Sequence, residues 1–278
     1  MKTRVISALI GLAILFSVLA FFDTIVINIA VSVISTMSVY ELLRASGYDK
    51  NAMLDGLCLI LAFSIPFAPI EIFRNFLPLA IYLFIAVMFS VLIKYHKTIK
   101  FEQVACSFFF AFLVPVALTI FVLFRDTNTV LTGLYYVLMT LAASWITDTG
   151  AYFVGVNLGK HKFAPEISPK KTVEGAIGGV IICVISLLVL SFLYEKFSHT
   201  VNLPIKINYI SVIIAAPIMS GLSMLGDLTA SAIKRQYGIK DFGNIMPGHG
   251  GVIDRFDSVL MVVPAMYIAS KLFPFVMA

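Results

Sequence analysis

Gln103 to Phe124 reads QVACSFFFAFLVPVALTIFVLF, twenty-two residues without a charged side chain. As an α-helix rising 1.5 Å per residue, such a run is about 33 Å long, and a bilayer's hydrocarbon core is about 30 Å thick. Eight further apolar runs lie at about 4–22, 24–41, 53–72, 77–94, 128–147, 175–195, 208–228 and 255–276. Glu41, Asp55 and a short turn near Asp23 blur the ends of the second and third. Of the 278 residues, 60% are hydrophobic and 13% charged, and the mean hydropathy is +1.00. Soluble domains average about 25% charged residues, so a water-soluble fold is excluded. A membrane β-barrel needs strands that alternate polar and apolar residues, and these runs do not alternate. The fold class expected is therefore all-α: a polytopic integral membrane protein with about nine transmembrane helices.

Positive charge sets the orientation, because loops on the cytoplasmic side carry the excess of Lys and Arg. With the N-terminus in the cytoplasm, only Arg74, Arg125, Lys196, Lys206 and Lys271 of the twenty Lys and Arg fall outside. The expectation is N-in and C-out, in the cell membrane, with the loops after helices six and eight facing the cytoplasm. Lys2 and Arg4 before an apolar run resemble a secretory signal, but the run is long, lacks an A-x-A site and precedes eight more spans. It reads as a retained helix. Cys58, Cys106 and Cys183 lie inside expected helices without metal-like spacing and read as core residues. The net charge of +5 suits anionic headgroups at the cytoplasmic surface, and no segment suggests nucleic-acid binding. Chemical content divides the chain into residues 1–127, five helices with few polar features, and residues 128–278, four spans with two chemically rich cytoplasmic loops.

Most of that chemistry lies between Ser220 and Ser258. Ser220, Ser223, Asp227, Ser231 and Lys234 are spaced 3, 4, 4 and 3 apart, so they line one face of helix eight. A polar stripe is costly against lipid and must face protein or water. For Ser220 and Ser223 the simple reading is interhelical hydrogen bonding; for Asp227 it is a metal ion or an ion pair. Ser144 and Asp148, four apart, end helix six, and Asp254 and Ser258 begin helix nine with Asp257 one turn on. Acids converging at one depth on three helices suit Mg²⁺, as one cation or two.

Five glycines from Gly238 to Gly251 can turn successive N–H groups towards an anion, with Lys234, Arg235 and Lys240 to neutralise it. An ordinary flexible positive loop is the rival reading. His249, in P-G-H-G-G, is expected to contact phosphate or orient a substrate. In the loop after helix six, Ser168 before Pro169 reads as a helix start. That places Lys170 and Lys171 in the first turn, against the helix dipole, and so calls for an anionic partner, either a phosphate or Glu174. Gly175 and Gly179 form G-x-x-x-G, which serves close helix packing. Asp23, Glu41, Asp55, Glu71, Arg125 and Asp126 read as interfacial solvation or local pairing.

The segment Ser231 to Asp257 closely resembles the signature of the phosphatidate cytidylyltransferases, also called CDP-diacylglycerol synthases. That signature runs S-x-x-K-R-x4-K-D, a short spacer, then H-G-G-x-x-D-R-x-D. Here it is Ser231, Lys234-Arg235, Lys240-Asp241, His249-Gly250-Gly251, Asp254-Arg255 and Asp257. The upstream S-P-K-K-T-x-E-G, Ser168 to Gly175, resembles a second motif of the family. Together they cover the C-terminal third. The resemblance implies that CTP and phosphatidic acid give CDP-diacylglycerol and pyrophosphate in a membrane of lipids. It implies one or two divalent cations, usually Mg²⁺, allows a monovalent cation besides, and favours a homodimer.

On that reading Asp148, Asp227, Asp254 and Asp257 form the pool of metal ligands. Lys234, Arg235 and His249 join Asp227, Asp254 and Asp257 as catalytic residues. Lys170, Lys171, Lys240, Asp241, Gly250, Gly251, Arg255, Ser223 and Ser231 bind substrate. A CTP-dependent polyprenol or phytol kinase is the nearest rival, and an ion-coupled transporter the rival of another class. Transporter acids usually sit near the midplane on broken helices in repeated halves, whereas these sit at helix ends on one side with no repeat.

Overall fold

The computed structural model describes residues 2–49, 51–127, 129–246, 248 and 250–277, with side chains from residue 6 onward. It divides into two compact units, residues 1–123 with 237–254, and residues 124–236 with 255–278. The glycine-rich stretch thus belongs with the N-terminal helices.

In the first unit, α1 (Lys2–Ala20), α2 (Val26–Ala45), α3 (Ala52–Ser64), α4 (Glu71–Lys94) and α5 (Phe101–Arg125) follow in order. The last residues of α5 belong to the second unit. Asn51 caps α3, its side-chain oxygen accepting the Met53 and Leu54 N–H groups, each at 3.1 Å, as a good N-cap residue does. A 3₁₀ turn at Ile65–Phe67, carrying Pro66, ends it. The expectation of few polar features in this half is corrected by α2. Asn28, Ser32, Ser35, Ser38 and Glu41 are all buried along it. Asn28 Nδ2 donates to the Pro66 carbonyl at 2.7 Å and Ser32 Oγ to that of Phe63 at 2.8 Å, fastening α2 to the end of α3.

The second unit holds α6 (Val130–Leu158), β1 (Lys162–Ala164), β2 (Ser168–Thr172), α7 (Val173–Thr200), β3 (Lys206–Ile207) and α8 (Tyr209–Gln236). One helical turn, α9 (Ile253–Phe256), carries the chain in from the first unit, and α10 (Val259–Leu272) and β4 (Val276–Met277) complete it. The strands make two short antiparallel pairs, β1 with β2 and β3 with β4. Helices α6 and α7 approach closely through small residues. A Cβ at Gly175 would lie 2.6 Å from the Ala151 carbonyl oxygen, and one at Gly179 would lie 3.0 Å from Ala151 Cβ. The G-x-x-x-G pair therefore serves helix packing, as expected.

Six helices among the described residues are long and apolar enough to cross a membrane: α2, α4, α5, α6, α7 and α8. On α7, Ile177, Ile181, Ile185 and Val189 form a stripe at every fourth residue, each more than half exposed. So large an exposed apolar surface needs a cover, and in a chain of this hydropathy lipid supplies it. The protein is an integral membrane protein of all-α class. Two of the nine expected spans, α3 and α10, are shorter helices. Proline ends α3, and the last run divides at Asp257 and Ser258, where the Ser258 N–H turns onto Asp257 Oδ1 at 2.7 Å. The three cysteines carry no disulfide.

Candidate active site

In the second unit the serines of α6 and α8 join the two helices. Thr147 Oγ1 donates to Ser220 Oγ at 3.0 Å, and Ser223 Oγ to the Ser144 carbonyl at 3.2 Å. All four residues are fully buried, so Ser223 is a packing residue here. One turn further along α6 lies Asp148, whose Oδ2 accepts Ser258 Oγ at 2.7 Å. Ser258 Oγ also lies 3.4 Å from Asp257 Oδ1, so a single hydroxyl links two carboxylates. The chain at 257–258 lies directly on α8 at Gly226, where a Cβ would meet the Asp257 carbonyl oxygen at 2.7 Å. Asp227 follows Gly226. Its Oδ1 lies 3.4 Å from Ser231 Oγ and its Oδ2 2.6 Å from Lys171 Nζ.

Carboxylates crowded together resist ionisation. Asp257, in the turn before α10, shows this: burial first, then Asp227 nearby, push its carboxyl up to about 7, with Lys234 acting in the opposite sense. Trp145 Nε1 donates to the Arg255 carbonyl at 3.2 Å, fixing the backbone that leads into this centre, while the Arg255 side chain is exposed.

Lys171 reaches Asp227 because residues 168–172 are a strand. The expected helix start at Ser168 is corrected: the helix begins at Val173, with Thr172 Oγ1 capping it through the Gly175 N–H at 3.1 Å. Pro169 fits an extended segment as well as a first helical turn, and Thr172 is the better-placed cap. Successive strand side chains point to opposite faces, so Lys171 turns inward while Lys170 remains exposed. Its anionic partner is Asp227. Glu174 instead accepts the Lys160 N–H at 3.0 Å, the His161 N–H at 3.2 Å and a bond with His161 Nδ1 at 2.6 Å. The Lys171 contact is an ion pair only, because its ammonium makes no well-angled hydrogen bond among the described residues. Arg235 Nε donates to the Ile167 carbonyl at 3.2 Å, fastening the β1–β2 turn to the end of α8.

The rest of the signature lies in the first unit. Asp254 Oδ2 accepts two backbone donors, the Phe242 N–H at 3.0 Å and the Gly251 N–H at 2.9 Å, and so closes the glycine-rich loop on itself. Within it the Met246 N–H donates to the Gly250 carbonyl at 3.0 Å. Gly250 adopts φ +85°, a left-handed conformation open to glycine. Asp241, with Arg44, Phe242 and Asn244, lines an open cleft of about 430 Å³, and Lys240 is exposed. The site expected at His249 lies outside the described residues.

The family model described as Cytidylyltransferase family matches residues 2–273. The chain belongs to that family. It is similar to the phosphatidate cytidylyltransferase of Bacillus subtilis (strain 168), with 34% identity over 280 residues and 98% of both chains covered. It is similar to that of Staphylococcus haemolyticus (strain JCSC1435), 43% identical over 136 residues and 49% of each chain. The phosphatidate cytidylyltransferase of Staphylococcus aureus (strain COL) is 41% identical over 148 residues, 53% of each chain.

The resemblance to the phosphatidate cytidylyltransferases implies a divalent cation, which the second unit's donor set fits by chemistry. Asp148, Asp227, Asp257 and Ser258 offer hard oxygens beside the Lys171 ammonium. Among the described residues no three His, Cys, Asp or Glu side chains are grouped so that they alone could hold a metal ion. Mg²⁺ does not require one, since it is usually held by one or two carboxylates together with substrate phosphates and waters. Sequence reasoning passed over Gly226 and Trp145 and misplaced Glu41, three residues that shape these assemblies. Gly226 carried a signal in its place next to Asp227. Glu41 is 2% exposed, buried instead of interfacial as expected, and its Oε2 accepts the Ile253 N–H at 3.0 Å.

Proposed function

We propose that the chain joins phosphatidate to the cytidylyl group of CTP, leaving CDP-diacylglycerol in the membrane and releasing pyrophosphate. An oxygen of the phosphatidate phosphate forms a bond to the α-phosphorus as the bond to the pyrophosphate oxygen breaks. A phosphate monoester is largely dianionic near neutral pH, so the attacking oxygen needs no general base. Positioning and charge neutralisation carry the catalysis, as in phosphoryl transfer generally. The observation that supports this best is the Lys171–Asp227 ion pair beside the Asp148–Ser258–Asp257 link. It sets an ammonium for phosphate next to oxygens for a cation, on helices covered by lipid.

Lys171 binds a phosphate oxygen as it leaves Asp227. Lys234, Arg235 and Lys240 neutralise the CTP phosphates, and Lys170 and His249 add contacts to anionic groups. Asp148, Asp227 and Asp257 hold Mg²⁺, with Asp254 given the same role by the signature. The cation supplies charge compensation for the phosphates when bound. The enzyme crosses the membrane nine times, counting its shorter helices, with the N-terminus and both rich loops on the cytoplasmic side where CTP is found. The charge bias of the loops supports that orientation. It acts as a homodimer, a reading that rests on the resemblance alone.

The test is purified protein with CTP labelled at the α-phosphorus, phosphatidate and Mg²⁺. Label extracted into lipid, with free pyrophosphate, is the expected result. Label left in CDP selects the lipid kinase, and no turnover in an active membrane preparation overturns the assignment.

A further inference from the structure

We infer that Glu41 is a positioning residue for the reaction, holding the glycine-rich loop in shape from the second membrane helix; the inference rests on the reaction proposed above. A buried carboxylate in a membrane helix is expensive, and an apolar side chain would fill the same space at less cost. What surrounds this one is the loop's backbone. Its Oε2 accepts the Ile253 N–H at 3.0 Å, immediately before Asp254. A Cβ added at Gly243 or at Gly251 would fall on the carboxylate itself. Glycine at those two places lets the loop fold against a side chain more than two hundred residues earlier in the chain.

Asp254 grips the same loop from its own backbone, through the Phe242 and Gly251 N–H groups. The Gly251 peptide is therefore held between two acids, one from the loop and one from α2. Glu41 touches neither reacting group nor, on this reading, any substrate. It acts by fixing the backbone at Gly243 and from Gly251 to Ile253, next to Gly250 and leading into Asp254. Loss of that support should disturb the handling of CTP phosphates while leaving the lipid site alone.

The experiment uses full-length protein in lipid nanodiscs, with steady-state constants for CTP and for phosphatidate normalised to folded protein. Ser38→Ala, on the same buried face of α2, is the control and should match wild type. Glu41→Ala should lower kcat/KM for CTP about tenfold or more, the scale of one lost buried hydrogen bond to a charged group, with KM for phosphatidate within about twofold. Glu41→Gln keeps an acceptor for the Ile253 N–H and should retain most activity. If Glu41→Ala does not fold, Gly243→Ala should raise KM for CTP, and Glu41→Asp in that background, withdrawing the carboxylate by one methylene, should restore it.

Unchanged CTP constants in folded Glu41→Ala would overturn the inference. So would a loss that follows the folded fraction and affects both substrates equally. Amide hydrogen exchange over residues 242–253 gives a readout that needs no turnover, faster in Glu41→Ala than in wild type. Wild-type protein inactive on CTP and phosphatidate would sink the proposed reaction, while the exchange result would still decide the role of Glu41.

Discussion

Asp254 and Asp257 are one helical turn apart in the sequence, yet they serve two differently built assemblies. In the second unit Asp257, Asp148 and Asp227 are gathered near a serine hydroxyl and the Lys171 ammonium. Burial first and the neighbouring Asp227 second raise the Asp257 carboxyl there, with Lys234 acting in the opposite sense. In the first unit Asp254 and Glu41 meet backbone N–H groups and shape a loop. A carboxylate among carboxylates stores a demand for cations, and one among N–H groups builds structure. The same side chain is crowded by other acids in one place and meets backbone donors in the other.

The sharpest way to break this contrast is to neutralise the acids singly. Asp257→Asn and Asp227→Asn should each lower turnover by at least about a thousandfold, the scale for losing an electrostatic contact to a transition state. Yet Asp257→Asn should melt at or above the wild-type temperature without divalent cation, because it removes like-charge crowding. Asp254→Ala should also abolish turnover, but with a melting temperature several degrees lower. It orphans two backbone N–H groups at about 1–3 kcal/mol each. Turnover and thermal melts on the same preparations check both outcomes.

Next in size, Lys171→Ala should reduce turnover about a hundredfold, as loss of a buried phosphate contact of about 3 kcal/mol would, while Lys170→Ala costs less than about threefold because that side chain is exposed. Equal losses in the two would deny that the strand sets their roles apart. Gly226→Ala should lower stability by about 1–3 kcal/mol through overpacking, since its methyl meets the Asp257 carbonyl. Its effect on turnover should exceed that of Gly221→Ala, where the added methyl meets nothing within 4 Å.

Much of the architecture was legible because lipid leaves few options: uncharged runs of membrane length become helices, and polar faces must turn inward. The stripe on α8 and the glycine pair on α7 were read from spacing alone, and both pack as spacing requires. The Lys171–Asp227 pair was not legible, since nothing local to either residue links positions 56 apart. The strand at Ser168–Thr172 was missed because Ser-Pro signals a helix start as readily as an extended turn, and only the Thr172 cap decides. Glu41 was misread for a related reason. An acid at a helix end is commonly solvated, and its partner is a backbone N–H with no side-chain signature.

The central claim is that the Asp148–Asp227–Asp257 centre carries the reaction. Its most direct test is transfer of α-labelled CTP to phosphatidate by folded Asp257→Asn in saturating Mg²⁺. Lipid labelling at background with an undiminished melting temperature is the predicted result, and wild-type labelling by the same variant would contradict it.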